Sequence, residues 1–258
     1  MFTRGFWATP TPTTKSSSGW VTSAPTTSFR SGPQPGERSV MLIDLHNHTR
    51  LRSPCSRLDP DELITLAKGR GLDGICITEH DDTWSEEELA ALRARHNFLV
   101  LGGMEVNTEH GHFLVFGVPR YEYGMHRLEY LREVVEKHGG VLIAAHPFRN
   151  TVYKGGVHRA YGPDLTVDAG MQRPAVRLCD AVETLNGNRP DAENAFARKV
   201  AEALGKPQVG GSDAHLPVEV GRFATEFEDP IRSVADLIEA VRAGRCRPVD
   251  LRVAPKRT

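Results

Sequence analysis

Between residues 40 and 250, short apolar runs alternate with amphipathic stretches, and most runs end in a polar loop. Seven runs have strand length: Met41-Leu42-Ile43, Gly74 to Thr78, Phe98 to Leu101, Phe113 to Val118, Val141 to Ala145, Ala181 to Leu185 and Gln208 to Gly211. Continuous apolar runs of this kind mark strands covered on both faces. The intervening stretches carry helix signals. Asp59 caps a first helix, Pro60 suits its first position, and Glu62 completes a capping-box-like pair. Leu63, Leu66 and Ala67 form its buried stripe, and Gly69 and Gly71 end it. Ser85-Glu86-Glu87-Glu88 caps a second helix, through about Arg95. A third spans 125–138 and stops at Gly139-Gly140, a fourth runs from Pro190 to about Leu204, and Ser233 caps a last one to Arg242. The pattern predicts an α/β protein with a mostly parallel sheet, as a single β/α barrel over 40–250. The glycine-rich stretch 150–175 reads as a loop over one face, with Lys154-Gly155-Gly156 and Tyr161-Gly162-Pro163 as its markers.

Residues 1–39 break this rhythm. They are dense in Ser, Thr and Pro, lack apolar periodicity, and are expected to be a disordered tail. Their charges are Arg4, Lys15, Arg30 and Arg38 against Glu37, with no apolar segment of a secretory signal. Met41, directly before the first strand, is a candidate start of the working protein. Net charge is −1 over 258 residues, and the body without the tail is mildly acidic, so nothing favours nucleic acid or a membrane surface as partner. No apolar run approaches the ~18 residues of a transmembrane helix. Cys55, Cys76, Cys179 and Cys246 are scattered with no C-x-x-C, which fits reduced thiols and a cytoplasmic location.

The chemistry sits at the strand ends. In Asp44-Leu45-His46-Asn47-His48 an extended chain would project Asp44, His46 and His48 to one face. Of eleven histidines, five (His46, His48, His80, His146, His215) stand at or just after the C-terminal ends of runs, as do Glu105 and Asp213. In a β/α barrel those ends share one rim. A lone histidine there is usually a satisfied polar residue. Five with two carboxylates would destabilise a core unless a cation and hydrogen bonds satisfied them. His112 stands at the start of its run, so it needs a reversed strand or a bend to join. His96, His110, His126, His138 and His158 read as surface residues.

On these residues the sequence resembles the polymerase-and-histidinol-phosphatase (PHP) superfamily. The matching pieces are Asp44 to Thr49, Ile77-Thr78-Glu79-His80-Asp81, Gly103-Met104-Glu105 with His112, Ala145-His146-Pro147, and Gly211 to His215, in family order over about 40–230. The resemblance implies a distorted (β/α)7 barrel-like fold holding two or three divalent metal ions (zinc, manganese or iron) and hydrolysing phosphate esters. It implies that His46, His48 and Asp213 hold one metal, His112 and His146 a second with Glu105 bridging, and His80 and His215 a third. Ser53-Pro54-Cys55 stands where the family often has Ser-Asp-Gly, so the third site lacks that Asp. Glu79 replaces a usual Asp and reads as orienting an imidazole. Arg149 is the first candidate to clamp phosphate, with Arg189 and Arg222 next. Asp81 would shuttle protons or position a ligand. The expected activity is metal-dependent phosphoester hydrolysis on a small phosphorylated metabolite or nucleotide. The alternatives are a nuclease acting on DNA or RNA ends, an amidohydrolase-like enzyme, and a non-catalytic phospholigand-binding module.

Overall fold

The computed structural model describes residues 40–153, 156–157 and 165–253. The expected tail, His158, and the loop markers Lys154-Gly155 and Tyr161-Gly162-Pro163 lie outside them. The chain runs β1 (Met41–Asp44), α1 (Pro60–Gly69), β2 (Gly74–His80), α2 (Glu86–His96), β3 (Leu99–Thr108), β4 (Gly111–Phe116), α3 (Leu128–Lys137) and β5 (Val141–Ala145). A small hairpin of β6 (Val152–Tyr153) and β7 (Gly156–Val157) precedes the short helices α4 (Val167–Met171) and α5 (Pro174–Leu178). Then come β8 (Ala181–Asn186), α6 (Asp191–Leu204), β9 (Gln208–Gly211), β10 (Phe223–Phe227), α7 (Val234–Arg242) and β11 (Cys246–Asp250).

Nine strands form one nearly closed, barrel-like sheet in the order β11-β10-β1-β2-β3-β4-β5-β8-β9. It closes where β9 returns to β10. The Thr225 hydroxyl donates to the Gly210 carbonyl and accepts from its N–H, both at 2.9 Å. A Cβ on Gly210 would lie 2.8 Å from the Ala224 carbonyl oxygen, so a side chain there would prevent closure. The barrel-like α/β expectation holds, with two strands more than the seven runs. β10 was hidden by its charged Glu226, and β11 by Arg247, Pro248 and Asp250.

The sheet is mixed rather than mostly parallel. β1-β2-β3 and β5-β8-β9 are parallel, but β4 runs against β3 and β5, and β10 against β1 and β11. The reversal at β4 follows from a tight hairpin. Thr108 pairs with Gly111 around Glu109-His110, and Gly111 takes φ +110°, open to glycine and costly for other residues.

The capping signals were legible, with two exceptions. Asp59 accepts from the Asp61 N–H at 3.0 Å, and Ser233 from Asp236 at 3.2 Å. Ser85 and Glu88 form a reciprocal box, at 3.2 and 2.8 Å. Glu62, however, takes no part in the α1 cap. The third helix starts at Leu128, not 125, because Gly124 (φ +108°) and the Met125-to-Glu122 turn occupy the chain before it.

Three apolar groups support the rim. Side chains from eight of the strands, among them Ile43, Leu101, Phe116, Ile143 and Val209, meet inside the barrel, where Leu237, Ala240 and Val241 of α7 join them. Helices α1 and α2 cover Ile75, Ile77 and Val100 on one outer face. Helices α3 and α6 cover Met104, Phe113, Leu142 and Val182 on another. Each such large side chain contributes about 1.5–3 kcal/mol by leaving water, which offsets the cost of the buried polar groups at the rim. Among the described residues no helix is long and apolar enough to cross a membrane.

Candidate metal centre

Strand register places the polar side chains. His80 pairs with Glu105 across β2–β3, Asn107 with His112 across β3–β4, and His112 with Ala145, the residue before His146, across β4–β5. On the other side of the mouth Asn47 bridges to Ala214, which sets His46 and His48 beside Asp213 and His215. The antiparallel β4 supplies the reversal that His112 needs: its first residues lie at the same rim as the last residues of its neighbours. Asp81, His146 and Asp213 turn off their strands at φ +52°, +30° and +51°, costing of order 1–3 kcal/mol each. The surrounding hydrogen bonds hold these turns. His146 N–H donates to Glu183 Oε2 (2.8 Å), Asp81 N–H to the Glu105 carbonyl (3.0 Å), and Asn188 Nδ2 to the Asp213 carbonyl (2.5 Å).

Glu105 is the hub. Its carboxylate is 1% exposed and meets five imidazoles. Oε1 lies 2.8 Å from His112 Nδ1 and 2.9 Å from His146 Nε2. Oε2 lies 3.0 Å from His80 Nδ1, 3.3 Å from His48 Nε2 and 3.4 Å from His46 Nε2. Asp213 Oδ1 is 3.4 Å from the same Nε2 atoms of His46 and His48, which are 3.1 Å apart. His215 adds its ring 4.4 Å from that of His48. Four sets of donor atoms fall within one ion's reach: His46, His48 and Glu105; His46, His146 and Asp213; His80, Glu105 and His112; and His48, His80 and His215.

These residues fit a cation on their own evidence. His46 Nδ1 faces Glu183 Oε1 at 3.0 Å, and a carboxylate can only accept, so Nδ1 carries the proton. In the neutral ring Nε2 is then a lone pair, yet it faces Glu105, Asp213 and the His48 nitrogen. Glu105 Oε2 and His80 Nδ1, though 3.0 Å apart, have no hydrogen-bond partner. Lone pairs that converge without a proton between them require a positive charge at their centre. The proton equilibria express the same demand. Burial opposes a charged His46, but Asp213, Glu183 and Glu105 outweigh it and raise its pKa well above the ordinary value. Against burial, His46 and its neighbouring imidazoles depress Glu105 and Asp213. Mixed imidazole and carboxylate donors suit zinc, manganese or iron.

Asp44 does not join this centre. β1 ends at Asp44, so the extended spacing is not sustained, and its Oδ1 instead accepts from the N–H groups of His46 (3.2 Å) and Ser212 (2.8 Å). Burial raises its pKa to about 6. Glu79 is fully buried and accepts from Thr49, from Ser53 Oγ (2.6 Å) and from Trp84 Nε1 (3.0 Å). Ser53 in turn lies 3.4 Å from His48 Nδ1, so Glu79 reaches an imidazole through a hydroxyl. Cys55 is exposed and belongs to none of the donor sets. Asp81 gives both oxygens to Asn107, at 2.9 Å from its N–H and 3.3 Å from its amide.

Beside His112 and His146 opens a cavity of about 750 Å³, lined also by Arg149, Arg173, His110 and Glu109. Arg189 is half-buried near it and its Nε has no partner. Burial, and then the like charge of Arg149, lower its pKa. Arg222 donates to the Gly187 carbonyl at 3.1 Å and so braces the loop after β8. Sequence reasoning missed Glu183, read only as part of an apolar strand; the signal was a buried acid inside that run.

A family model described as PHP-associated matches residues 191–246, from the start of α6 to the start of β11. That match agrees with the PHP resemblance of the motifs. The barrel-like sheet and the rim of histidines fit the same resemblance. An uncharacterized protein of Methanocaldococcus jannaschii is 29% identical over 121 residues, which cover 42% of this chain and 68% of its own. Two solved structures share the fold. PsfC from Pseudomonas syringae aligns at a TM-score of 0.56 and 20% identity, over 82% of this chain and 91% of that one. An amidohydrolase from Chromobacterium violaceum, with bound sulfate and no metal, aligns at 0.54 and 20% identity, over 81% and 98%.

Proposed function

We propose that this protein is a PHP-type metal-dependent phosphoesterase acting on a phosphate ester of a small metabolite or nucleotide. The observation that carries the reading is the hub: one buried carboxylate, Glu105, within 3.4 Å of five imidazole nitrogens. In this reading His46, His48 and Asp213 would hold one divalent ion and His112 and His146 a second, with Glu105 available to both sets. His80 and His215 would hold a third, with the His48 ring 4.4 Å from each of theirs. Such ions, when bound, activate water near neutral pH and stabilise charge on the reacting oxygens.

The protein's own part is placement. Arg149 lines the cavity next to His112 and His146, and half-buried Arg189, its pKa lowered first by burial, lies close enough to Arg149 to feel its like charge. Two guanidiniums in such proximity are relieved by an anion, and their planar donors match phosphate oxygens. Arg222, already donating to Gly187, supports the loop that carries Arg189 instead of contacting substrate. Asp81, tied to Asn107, positions the tip of β2 and with it His80. The cavity suits a small molecule in size. A mildly acidic surface offers a nucleic-acid backbone little.

The test is a metal analysis of the purified protein followed by a screen for phosphate release from phosphomonoesters and nucleotides with manganese or zinc. Oligonucleotides and amide substrates are run in parallel. Release from one or more small phosphate esters is expected. A metal-laden protein that releases no phosphate from any of them would overturn the reading in favour of a phospholigand-binding module.

A further inference from the structure

Behind the centre lies a second set of polar groups that none of the chemistry above uses. Glu183 and Asn186 sit three residues apart on β8, both fully buried or nearly so. The two oxygens of Glu183 receive three donors: His46 Nδ1 (3.0 Å), the His146 N–H (2.8 Å) and Asn186 Nδ2 (2.9 Å). The same Asn186 amide reaches Asp213 Oδ2 at 3.3 Å, and its own backbone N–H donates to Asn194 Oδ1 at 3.1 Å. His46, His146 and Asp213 are one of the four donor sets. One carboxylate and one amide therefore touch all three members of a single candidate ion site, from three different segments of the chain. The approach is made possible by Gly211, where a Cβ would lie 2.5 Å from His46 Cβ and 3.0 Å from Glu183 Oε1.

We infer that Glu183, supported by Asn186, is the positioning residue of this donor set: it fixes the Nδ1–H tautomer of His46 and the turn at His146, so that Nε2 of each ring faces the ion it would hold. This rests on the reading of the rim as a metal centre. Three donors converge on Glu183, so its head must be acceptor-only. A glutamine cannot replace it. With its oxygen toward His46, its NH2 would oppose the His146 N–H and the Asn186 amide. Turned round, the NH2 would face His46 Nδ1, push the proton to Nε2 and remove the lone pair that binds metal.

The experiment uses the full-length protein, stripped with chelator and titrated with Mn²⁺ or Zn²⁺ against a chromogenic competitor. Imidazole nitrogen shifts in the stripped protein report the His46 tautomer. Glu183→Gln should keep its far-UV circular dichroism, weaken the tightest metal site by about 10–100-fold, and move the His46 proton to Nε2 in a part of the molecules. Glu183→Asp, still acceptor-only, should restore the tautomer and recover part of the affinity. Thr184→Val, on the opposite face of β8, should leave affinity unchanged. If Glu183→Gln fails to fold, Asn186→Ala carries the same test, with a loss of affinity expected that Thr184→Val does not share. Wild-type affinity and tautomer in a folded Glu183→Gln would overturn the inference while leaving the metal centre standing. No ion uptake by the wild type would instead overturn the metal reading itself.

Discussion

The two flanks of the centre share Glu105 but are built differently. On one flank His46, His146 and Asp213 have side chains no more than 9% exposed, and the Glu183 carboxylate backs the imidazole of His46 directly. On the other, His80 and His215 are 27% and 20% exposed, with the His48 ring 4.4 Å from each. Apart from the shared Glu105 and Asp213, the outer carboxylates act less directly here: Glu79 reaches the His48 ring only through Ser53, and Glu219 meets only the backbone N–H of His215. Proton affinities diverge accordingly. His46 is raised by its carboxylates against burial, whereas His215 is lowered by burial and by neighbouring His48. The first flank has its geometry fixed before any ion arrives. The second leaves more of the ordering to the ion, so it should bind more weakly and exchange faster.

The largest effects should come from the first flank. His46→Ala and Asp213→Ala each remove a donor worth several kcal/mol of charge stabilisation, so turnover should fall by about a thousandfold or more. The fold should survive, since the apolar clusters lie below the rim. His215→Ala, on the other flank, should cost only about tenfold, because one rim-exposed donor is lost and water can take its place. Phosphate release and circular dichroism on the three variants check this. Equal losses in all three would erase the distinction between the flanks.

Much of this centre was written in local sequence. His46, His48, His80, Glu105, His146, Asp213 and His215 all stand where an apolar run stops, and a barrel gathers such ends whatever the details of pairing. What could not be read locally depended on direction or partners. His112 needed the β3–β4 reversal, which turns on two hairpin residues and a positive-φ glycine. Asp44 was projected to the face of His46 and His48 by a strand periodicity that ends at that residue. Glu183 looked like one polar position in a strand, because its partners His46 and His146 are 137 and 37 residues away. Strands β10 and β11 pair antiparallel at the edge beside β1, and carry charges on their exposed side that a buried-strand pattern does not tolerate.

A smaller effect separates the flanks by pH. In chelated protein the raised pKa of His46 means its proton stabilises the fold fully below the unfolded value of 6.5, and that contribution is lost as pH rises through the folded value. The depressed Glu105 and Asp213 work oppositely: they stabilise above their unfolded values of 4.5 and 3.8, and lose this only as pH falls through their folded values. His215, lowered in the fold, costs stability as pH falls below 6.5. The first flank therefore predicts a melting temperature that declines as chelated protein is taken upward from pH 6.5 through the folded-state value of His46. Bound divalent ions supply the positive charge without titrating, so saturating manganese should flatten that decline. Identical slopes with and without the ion would show that carboxylate repulsion does not govern this flank.

The smallest contrast concerns Ser53, the hydroxyl that relays Glu79 to the second flank. It donates to Glu79 Oε2 at 2.6 Å, accepts from the His80 N–H at 3.2 Å and lies 3.4 Å from His48 Nδ1. Glu79 keeps Thr49 and Trp84 when the hydroxyl is removed, so no buried charge is left bare. Ser53→Ala should then weaken metal binding by about three- to tenfold, less than loss of an outer carboxylate acting directly on a ligand. His138→Ala sets the baseline. His138 ends α3 beside Gly139, near the Phe116 end of β4, away from the rim that His112 joins at the other end of that strand. Its removal should change stability by no more than about 0.5 kcal/mol and turnover not at all. Metal titrations of the two variants place Ser53 between that baseline and Glu183. Were Ser53→Ala to weaken metal as much as Glu183→Gln, the relay would be as strong as the direct contact, and the second flank would be as firmly built as the first.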